Sequence, residues 1–272
     1  MENILVPDPG LTRLKAQLLA LEGPRGRVRP AAAVTAGLAP EQVEAQALHD
    51  LYAATPADAV SVNAFGLGLA LKAAEGRPVV WGLHEMMAQE AGRPHGPGLH
   101  EMGLSPRDLL LVLTRDVQTL LAVGEEALRS PAVGAVLLSA WGEAKAFSLT
   151  ASRRLALAAE NGTATLFLAR AGAVPCPSAA RSRWSIMSHA STLLAGEAPG
   201  RPSFSATLLR RRGGGATGTW IMEWDREQRS FHIPAPLSGG LAAVAAQRPA
   251  AASGDGPDTR PNTRPDSGRR AA

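Results

Sequence analysis

The segment from His49 to Phe65 has the layout of a phosphate-binding element: a short apolar strand, a loop and the start of a helix. A P-loop at this place requires glycines whose N–H groups face phosphate, a lysine for the β and γ phosphates, and a hydroxyl for magnesium. The loop contains no glycine, Pro56 lacks an N–H group, and Asp58 adds a negative charge. We therefore interpret it as a vestigial site formed by Ala53, Ala54, Thr55, Pro56, Ala57, Asp58, Ala59, Val60 and Ser61.

The lysine and the magnesium ligand of such a site are also missing. The chain has only three lysines, Lys15, Lys72 and Lys145. Lys72 is about 18 Å from the start of its helix by helical rise. A magnesium site also needs a carboxylate at the end of a buried strand. The strand expected to carry it is 133–138, which ends at Ser139. Glu143, four residues later, is either within reach of the site or a solvated loop charge. We take Ser139 as the vestigial magnesium position and predict a non-enzymatic protein without a cofactor.

Histidine and glutamate are concentrated between His84 and Glu101. A zinc protease motif requires a second histidine four residues after the first, but that position is Ala88. Metal binding by His84, His95 and His100 stays open as an alternative. We favour polar loops at the carboxyl edge of a sheet and predict no metal site.

Arginines are the remaining candidate binding groups. A guanidinium binds phosphate or carboxylate through parallel hydrogen bonds, so exposed arginines near a strand end can form a contact surface. A merely solvated hairpin explains the run 210–212 equally well. The candidate contacts with a partner protein or DNA are Arg181, Arg183, Arg210, Arg211 and Arg212.

Five apolar runs alternate with helical patterns between about residues 48 and 170. The predicted strand cores are 49–53, 78–81, 109–113, 133–138 and 165–169, and the predicted helices are 60–74, 116–129 and 150–160. Continuous apolar strands separated by crossover helices indicate a parallel sheet covered on both faces. The predicted fold class is α/β.

Three more strands are predicted after Arg170, at 183–187, 204–210 and 217–224, the last two joined by a glycine-rich hairpin. Before the core, Leu11, Leu14 and Leu18 indicate a short helix, followed by a basic linker. From about residue 234 the composition of Pro, Ala, Gly, Ser and Arg predicts disorder. The expected organisation is an N-terminal helix and linker (1–30), a core (31–232) and a tail (233–272).

Composition limits the function classes. The net charge of +4 is far below that of a dedicated DNA-coating protein. The single cysteine, Cys176, excludes an intramolecular disulfide, and no Gly-x-Ser-x-Gly motif supports acyl transfer. No apolar run reaches the roughly 18 residues of a membrane span, so we expect a cytoplasmic protein without membrane contact.

The order of the motifs resembles RecA and, more narrowly, the ImuA family. His49-Asp-Leu-Tyr52, followed by a loop without the phosphate-binding residues, is similar to the opening of a RecA core. The passage from Arg93 to Val112 is similar to a loop of RecA and the strand that follows it. Ala127–Leu138 resembles the RecA helix that leads into the magnesium-site strand. Three further motifs look like ImuA: the stretches 148–160 and 178–184, and Arg211-Arg-Gly-Gly-Gly leading to Trp220-Ile-Met-Glu-Trp224.

The resemblance covers about residues 10–230 and implies a RecA-like core. It also implies a role in SOS-induced translesion DNA synthesis and mutagenesis, with an ImuB-like protein, a DnaE-type polymerase and RecA as expected partners, and nucleoid association when active. Contact with DNA would be weak or indirect. Two alternatives stay open: a RecA-like ATP-binding protein with an unorthodox site, and a SulA-like inhibitor of cell division.

Overall fold

A computed structural model describes residues 43–214 and 217–234, and in addition Arg13 and Gln17, both helical. Apart from these two residues, the predicted N-terminal helix and basic linker (1–30) lie outside the described residues, as does the predicted tail from residue 235 onward. Residues up to Pro234 and residues from Ala235 onward form separate units. The following description concerns the first unit.

In the described part of the chain, nine strands form one sheet in the order β3-β2-β4-β5-β1-β6-β7-β8-β9. The strands β1 to β6 are parallel to one another, and β7, β8 and β9 continue the sheet from β6 in antiparallel pairs. Their bounds are β1 Leu48–Ala53, β2 Val79–His84, β3 Leu109–Thr114, β4 Ala135–Trp141, β5 Thr165–Ala171, β6 Ser182–His189, β7 Ser203–Arg211, β8 Gly218–Asp225 and β9 Ser230–His232.

Five α-helices connect these strands in the described ranges: α1 Ala59–Ala74, α2 Glu85–Ala91, α3 Gly96–Glu101, α4 Val117–Arg129 and α5 Leu149–Asn161. Helix α1 packs on one face of the sheet, with Leu51 and Phe167 in its core. Helices α4 and α5 pack on the opposite face, with Leu48 and Leu168 in a second core. We call these the α1 face and the α4–α5 face. The predicted α/β class with a mainly parallel sheet and an antiparallel C-terminal hairpin is confirmed.

The strand and helix predictions hold to within a few residues, but three elements were missed. Helices α2 and α3 lie where we predicted polar loops. The third element that we did not predict is β9, which has only three residues. In α3 two glycines and a proline suppress the local helix signal. The end of α3 is held from outside: Trp224 Nε1 donates to the Met102 carbonyl at 3.1 Å.

The lone Gly-x-Gly of α1 serves helix packing. A Cβ at Gly66 would lie 2.9 Å from a Leu137 side-chain atom, and a Cβ at Gly68 would lie 2.7 Å from the Phe231 ring. The glycines therefore allow α1 to approach the sheet on one side and the aromatic rings of β8 and β9 on another.

A hydrogen-bond chain through His49 links β1 to β6 inside the sheet. Trp184 Nε1 donates to Ser182 Oγ at 2.8 Å, and that hydroxyl lies 2.7 Å from His49 Nδ1. His49 Nε2 lies 2.8 Å from the Glu44 carbonyl, which only accepts, so the proton of a neutral ring sits on Nε2. Burial is the main cause that lowers the pKa of His49 to about 4. The ring is thus neutral and fully bonded at physiological pH.

No helix among the described residues combines the length and the apolar character needed to cross a membrane.

Candidate functional site

The loop between β1 and α1 is closed by its own carboxylate. Thr55 precedes a short 3₁₀ turn, Pro56–Asp58, and Asp58 is buried at its end. One oxygen of Asp58 accepts from the Thr55 N–H at 3.1 Å and the Thr55 hydroxyl at 2.7 Å. The other accepts from the Ser188 N–H at 2.8 Å and the Ser188 hydroxyl at 3.1 Å. Asp58 therefore joins the loop to β6.

These bonds keep Asp58 ionised. Burial by itself raises the pKa of a carboxyl, but the hydrogen bonds from Ser188 and Thr55 outweigh it, so the pKa of Asp58 lies below its usual value. The other loop residues are in ordinary positions: Ala53 ends β1, Ala54 donates to the Ile186 carbonyl at 2.8 Å, and Ala57 is exposed. The first turn of α1 holds the last three of the predicted set, Ala59, Val60 and Ser61.

Ser139 lies inside β4. The prediction that this strand ends at Ser139 is wrong, because β4 continues through the apolar residues Ala140 and Trp141. Ser139 is fully buried, and its hydroxyl accepts from Trp81 Nε1 at 2.9 Å. At this position the side chain stabilises the contact between β4 and β2.

Two of the five candidate arginines are engaged inside the fold. Arg183 is buried, and its guanidinium donates to Asp50 Oδ2 from Nε at 3.3 Å and from Nη2 at 3.2 Å. Arg210 donates from Nη2 to the carbonyls of Ser178 and Ala180, at 3.3 and 2.6 Å. Arg183 and Arg210 therefore stabilise the sheet and the loop after β5, and are not available to a partner.

Arg181 is partly exposed and paired. It forms ion pairs at 3.5 Å with Glu44 and with Glu160 at the end of α5. Partly exposed ion pairs contribute little stability, so a competing anion can replace them at small cost. Arg181 is thus a weaker candidate than an arginine without a partner.

Arg211 and Arg212 remain as candidate contacts. Arg211 is half-buried and Arg212 exposed, and neither side chain has a hydrogen bond or ion pair to another described residue. Leu209, two residues before Arg211, is the extra residue of a β-bulge: Arg183 pairs with Arg210, and Trp184 with Leu208. Bulges redirect side chains, and Leu209 is 42% exposed. We call Leu209, Arg211 and Arg212 the hairpin patch.

A buried polar network on the α4–α5 face was not predicted from the sequence. Asp50 accepts from Arg183 and from the Ser178 hydroxyl. Burial raises the pKa of Asp50, and the hydrogen bond from Ser178 and the charge of Arg183 offset part of that rise. Next to Asp50 on the same face, Arg170 donates to the Tyr52 hydroxyl at 3.1 Å. Burial, followed by the charge of Asp50, raises the pKa of Tyr52 to about 12.

The cysteine belongs to this network. Arg170 Nη1 lies 3.3 Å from Cys176 Sγ, and the Cys176 N–H donates to the Tyr52 hydroxyl at 3.3 Å. These contacts attach the loop between β5 and β6 to the ends of β1 and β5. The period of two along a strand is a signal that could have placed Asp50 and Tyr52 on one face, but no local pattern shows that Arg170 is buried beside them.

The histidines singled out for metal binding do not form a metal site in the described ranges. His84 precedes α2, while His95 and His100 are exposed around α3. No group of three or more His, Cys, Asp and Glu side chains there is arranged to hold one metal ion.

Neither the profiles of known protein families nor the curated protein sequences give a match to this chain.

Proposed function

We propose that this chain is a non-catalytic adaptor with a RecA-like core. In this proposal it acts with an ImuB-like protein and an error-prone DnaE-type polymerase in damage-induced translesion DNA synthesis. The observation that carries the non-catalytic part is the Asp58 carboxylate in the loop between β1 and α1, at the place where a P-loop protein binds phosphate.

The strand arrangement supports a nucleotide-site ancestry. β1 is the central strand of the nine-stranded sheet, lies parallel to β5 and β6 on its two sides, and leads through a five-residue connection directly into α1. In P-loop proteins the phosphate cradle lies between such a strand and helix, and open α/β sheets bind ligands at the carboxyl ends of their strands. In this proposal the connection between β1 and α1 is a former phosphate cradle whose chemistry has changed.

Asp58 accounts for the loss of that chemistry. Its two oxygens accept four hydrogen bonds from Thr55 and Ser188, which occupies donors at the carboxyl ends of β1 and β6. A phosphate at this place would meet an ionised carboxylate in a loop, residues 54–58, that contains no lysine, and like charges at short distance repel strongly in a partly buried site. This supports contact formation rather than nucleotide hydrolysis.

The hairpin patch is the contact surface that we assign to the partner. It combines an exposed leucine with two arginines that have no partner among the described residues, and interface centres are enriched in arginine with apolar neighbours. Arg181, the other partly exposed arginine of the predicted set, is already paired with Glu44 and Glu160. The RecA-like ancestry and the ImuB-like partner rest on the motif resemblance.

Co-purification with an ImuB-like protein tests this proposal. We expect a stable complex, weakened about two- to thirtyfold when Arg211→Ala and Arg212→Ala are combined, because each exposed ion pair contributes about 0.2–1 kcal/mol. The matched control is Arg153→Ala with Arg154→Ala, an exposed doublet on α5. Both doublets have the same charge, so an equal loss from both would refute the assignment of the patch.

Equilibrium dialysis with ATP tests the non-catalytic part separately. We expect no saturable binding by the full chain. Saturable binding that is lost on Ser61→Ala would overturn this part of the proposal and favour an ATP-binding protein with an unorthodox site. Absence of any complex with an ImuB-like protein would instead overturn the partner assignment and leave the interpretation of Asp58 intact.

A further inference from the structure

Strand β8 has a free edge along its first half. Its residues 218–222 pair with β7 on one side. On the other side, β9 pairs only with residues 223–225. Pro234 would face Ile221 if β9 continued, but a proline has no N–H to donate, and β9 ends at His232. The outer edge of residues 218–222 therefore has no strand neighbour in the described part of the chain.

The pairing with β7 determines which main-chain groups point outward at this edge. Successive residues of an antiparallel strand direct their N–H and C=O groups to opposite sides. The Trp224 N–H donates to the carbonyl of Pro202, just before β7, at 2.9 Å, so the even-numbered residues of β8 face β7. Thr219 and Ile221 therefore direct two donors and two acceptors away from β7. None of these four groups has a hydrogen bond to a described residue.

The side chains along this edge favour the addition of a strand. Edges that stay unpaired usually carry a lysine, another charge, a proline or a bulge. Residues 218–222 read Gly-Thr-Trp-Ile-Met and contain none of these. Thr219 is exposed, while Trp220 and Ile221 are half-buried and lie on opposite faces of the sheet. An incoming strand can therefore gain apolar contacts on both faces as well as main-chain hydrogen bonds.

The hairpin patch determines the charge that the added strand should carry. The free edge begins at the hairpin between β7 and β8, where Arg211 and Arg212 lie without a hydrogen bond or ion pair to another described residue. Residues 203–222 contain no aspartate or glutamate. Complementary charges guide a partner to its site and fix its register. The arginines therefore favour an acidic segment over a neutral or basic one.

We propose that the free edge of β8 binds an extended, acidic segment of a partner protein as a tenth strand. The segment exchanges main-chain hydrogen bonds with Thr219 and Ile221, and its carboxylates contact Arg211 and Arg212. Five residues of β8 offer about 17 Å of edge, enough for a strand of ordinary length. This assignment rests on the contact role proposed above for the hairpin patch, but not on the identity of the partner.

Fluorescence anisotropy with the full chain and dye-labelled peptides tests this assignment. The probe has blocked ends and carries two aspartates on each side of Val-Thr-Val-Thr. One control peptide has lysines in place of the aspartates, and a second has N-methyl groups on the four central residues, so that they cannot donate main-chain hydrogen bonds. We expect saturable binding of the acidic peptide, weaker binding of the basic one and none of the N-methylated one.

Variants of the chain locate the binding edge. Ile221→Pro removes an outward N–H without removing a bond to β7, and prolines are accepted at such edge positions. We expect it to weaken binding of the acidic peptide about tenfold, the effect of losing a main-chain hydrogen bond. Ile221→Val keeps the N–H and is the matched control. Arg211→Ala combined with Arg212→Ala should weaken binding about two- to thirtyfold, the range for two exposed ion pairs.

Three results would overturn the proposal. The first is the absence of saturable binding by the acidic peptide. The second is equal binding by the N-methylated peptide, which examines the main-chain bonds on the unmodified chain whatever the stability of Ile221→Pro. The third is self-association that is lost in Ile221→Pro, because it would identify a second copy of this chain as the occupant. Peptide binding without an ImuB-like complex would overturn only the identity of the partner.

Discussion

His49 makes the stability of this protein depend on pH in a range that few other side chains reach. The neutral ring accepts one hydrogen bond and donates another inside the sheet, and it stacks on Phe167 with the ring centres 5.5 Å apart. Protonation of Nδ1 would remove the acceptor to which the Ser182 hydroxyl donates in the neutral state. Burial of the ring is the main effect that opposes the charged form, and it lowers the pKa of His49 from 6.5 to about 4.

The sign and the size of the effect follow from linkage. Between pH 6.5 and 4 the unfolded chain binds a proton at His49 that the folded chain does not, so stability is complete above pH 6.5 and declines as the pH falls. A difference of about 2.5 pH units corresponds to about 3 kcal/mol in the free energy of unfolding, at about 1.4 kcal/mol per unit. About 2 kcal/mol of this is lost between pH 6.5 and 5.

Urea denaturation at pH 7.5, 6.5, 5 and 4.5 measures this loss in the unmodified chain, His49→Gln and His100→Gln. Substitution of His49 changes packing by an amount that does not depend on pH, so the difference between the unmodified chain and His49→Gln isolates the titration. We expect that difference to change by about 2 kcal/mol from pH 6.5 to 5. His100 is exposed, and its variant should follow the unmodified chain. A His49→Gln profile parallel to the unmodified one would refute the reasoning.

Two substitutions test the packing of α1 and the closure of its preceding loop. Gly68→Ala places a Cβ against the Phe231 and Trp224 rings and should cost about 1–3 kcal/mol in thermal unfolding; Gly98→Ala in α3, where a Cβ meets open space, should not destabilise the protein. Asp58→Ala leaves donors of Thr55 and Ser188 without an acceptor and should cost about 1–3 kcal/mol or more in urea denaturation. Its control is Asp108→Ala. Ser105-Pro-Arg-Asp108 repeats the pattern of Thr55-Pro-Ala-Asp58, but Asp108 has no side-chain hydrogen bond to a described residue. Equal losses of unfolding free energy in Asp58→Ala and Asp108→Ala would contradict the bridging role of Asp58.

The predictable part of the fold is the part with local signals. Strands β2 to β5 were found because the core of each is an apolar run, and α1, α4 and α5 because they are long. Helix α3 was not predicted because its composition opposes a helix and a contact from a distant residue stabilises its end. Trp224, 122 positions away, donates from Nε1 to the Met102 carbonyl at 3.1 Å. Such contacts leave no trace in the local pattern.

In the candidate site, too, local contacts could be predicted from the sequence and long-range contacts could not. The spacing of Thr55 and Asp58 is that of a capping box, so the bond within the loop could be predicted. The bond from Asp58 to Ser188 spans 130 positions and could not. For the arginines, sequence identified five candidates but could not separate Arg183 and Arg210, which bind inside the fold, from Arg211 and Arg212.

The position of β1 in the sheet also constrains the order in which the protein assembles during synthesis. The partners of β1 are far along the chain: Leu48 pairs with Leu166, and His49 with Ser182. The ribosome, at about 5–20 residues per second, therefore exposes this apolar strand for several seconds before β5 emerges. Strands β2, β3 and β4, whose partners are much closer in sequence, can pair in the meantime. The centre of the finished sheet is thus filled only after β5 has emerged, and slow translation between β4 and β6 prolongs the interval in which β1 needs protection from aggregation.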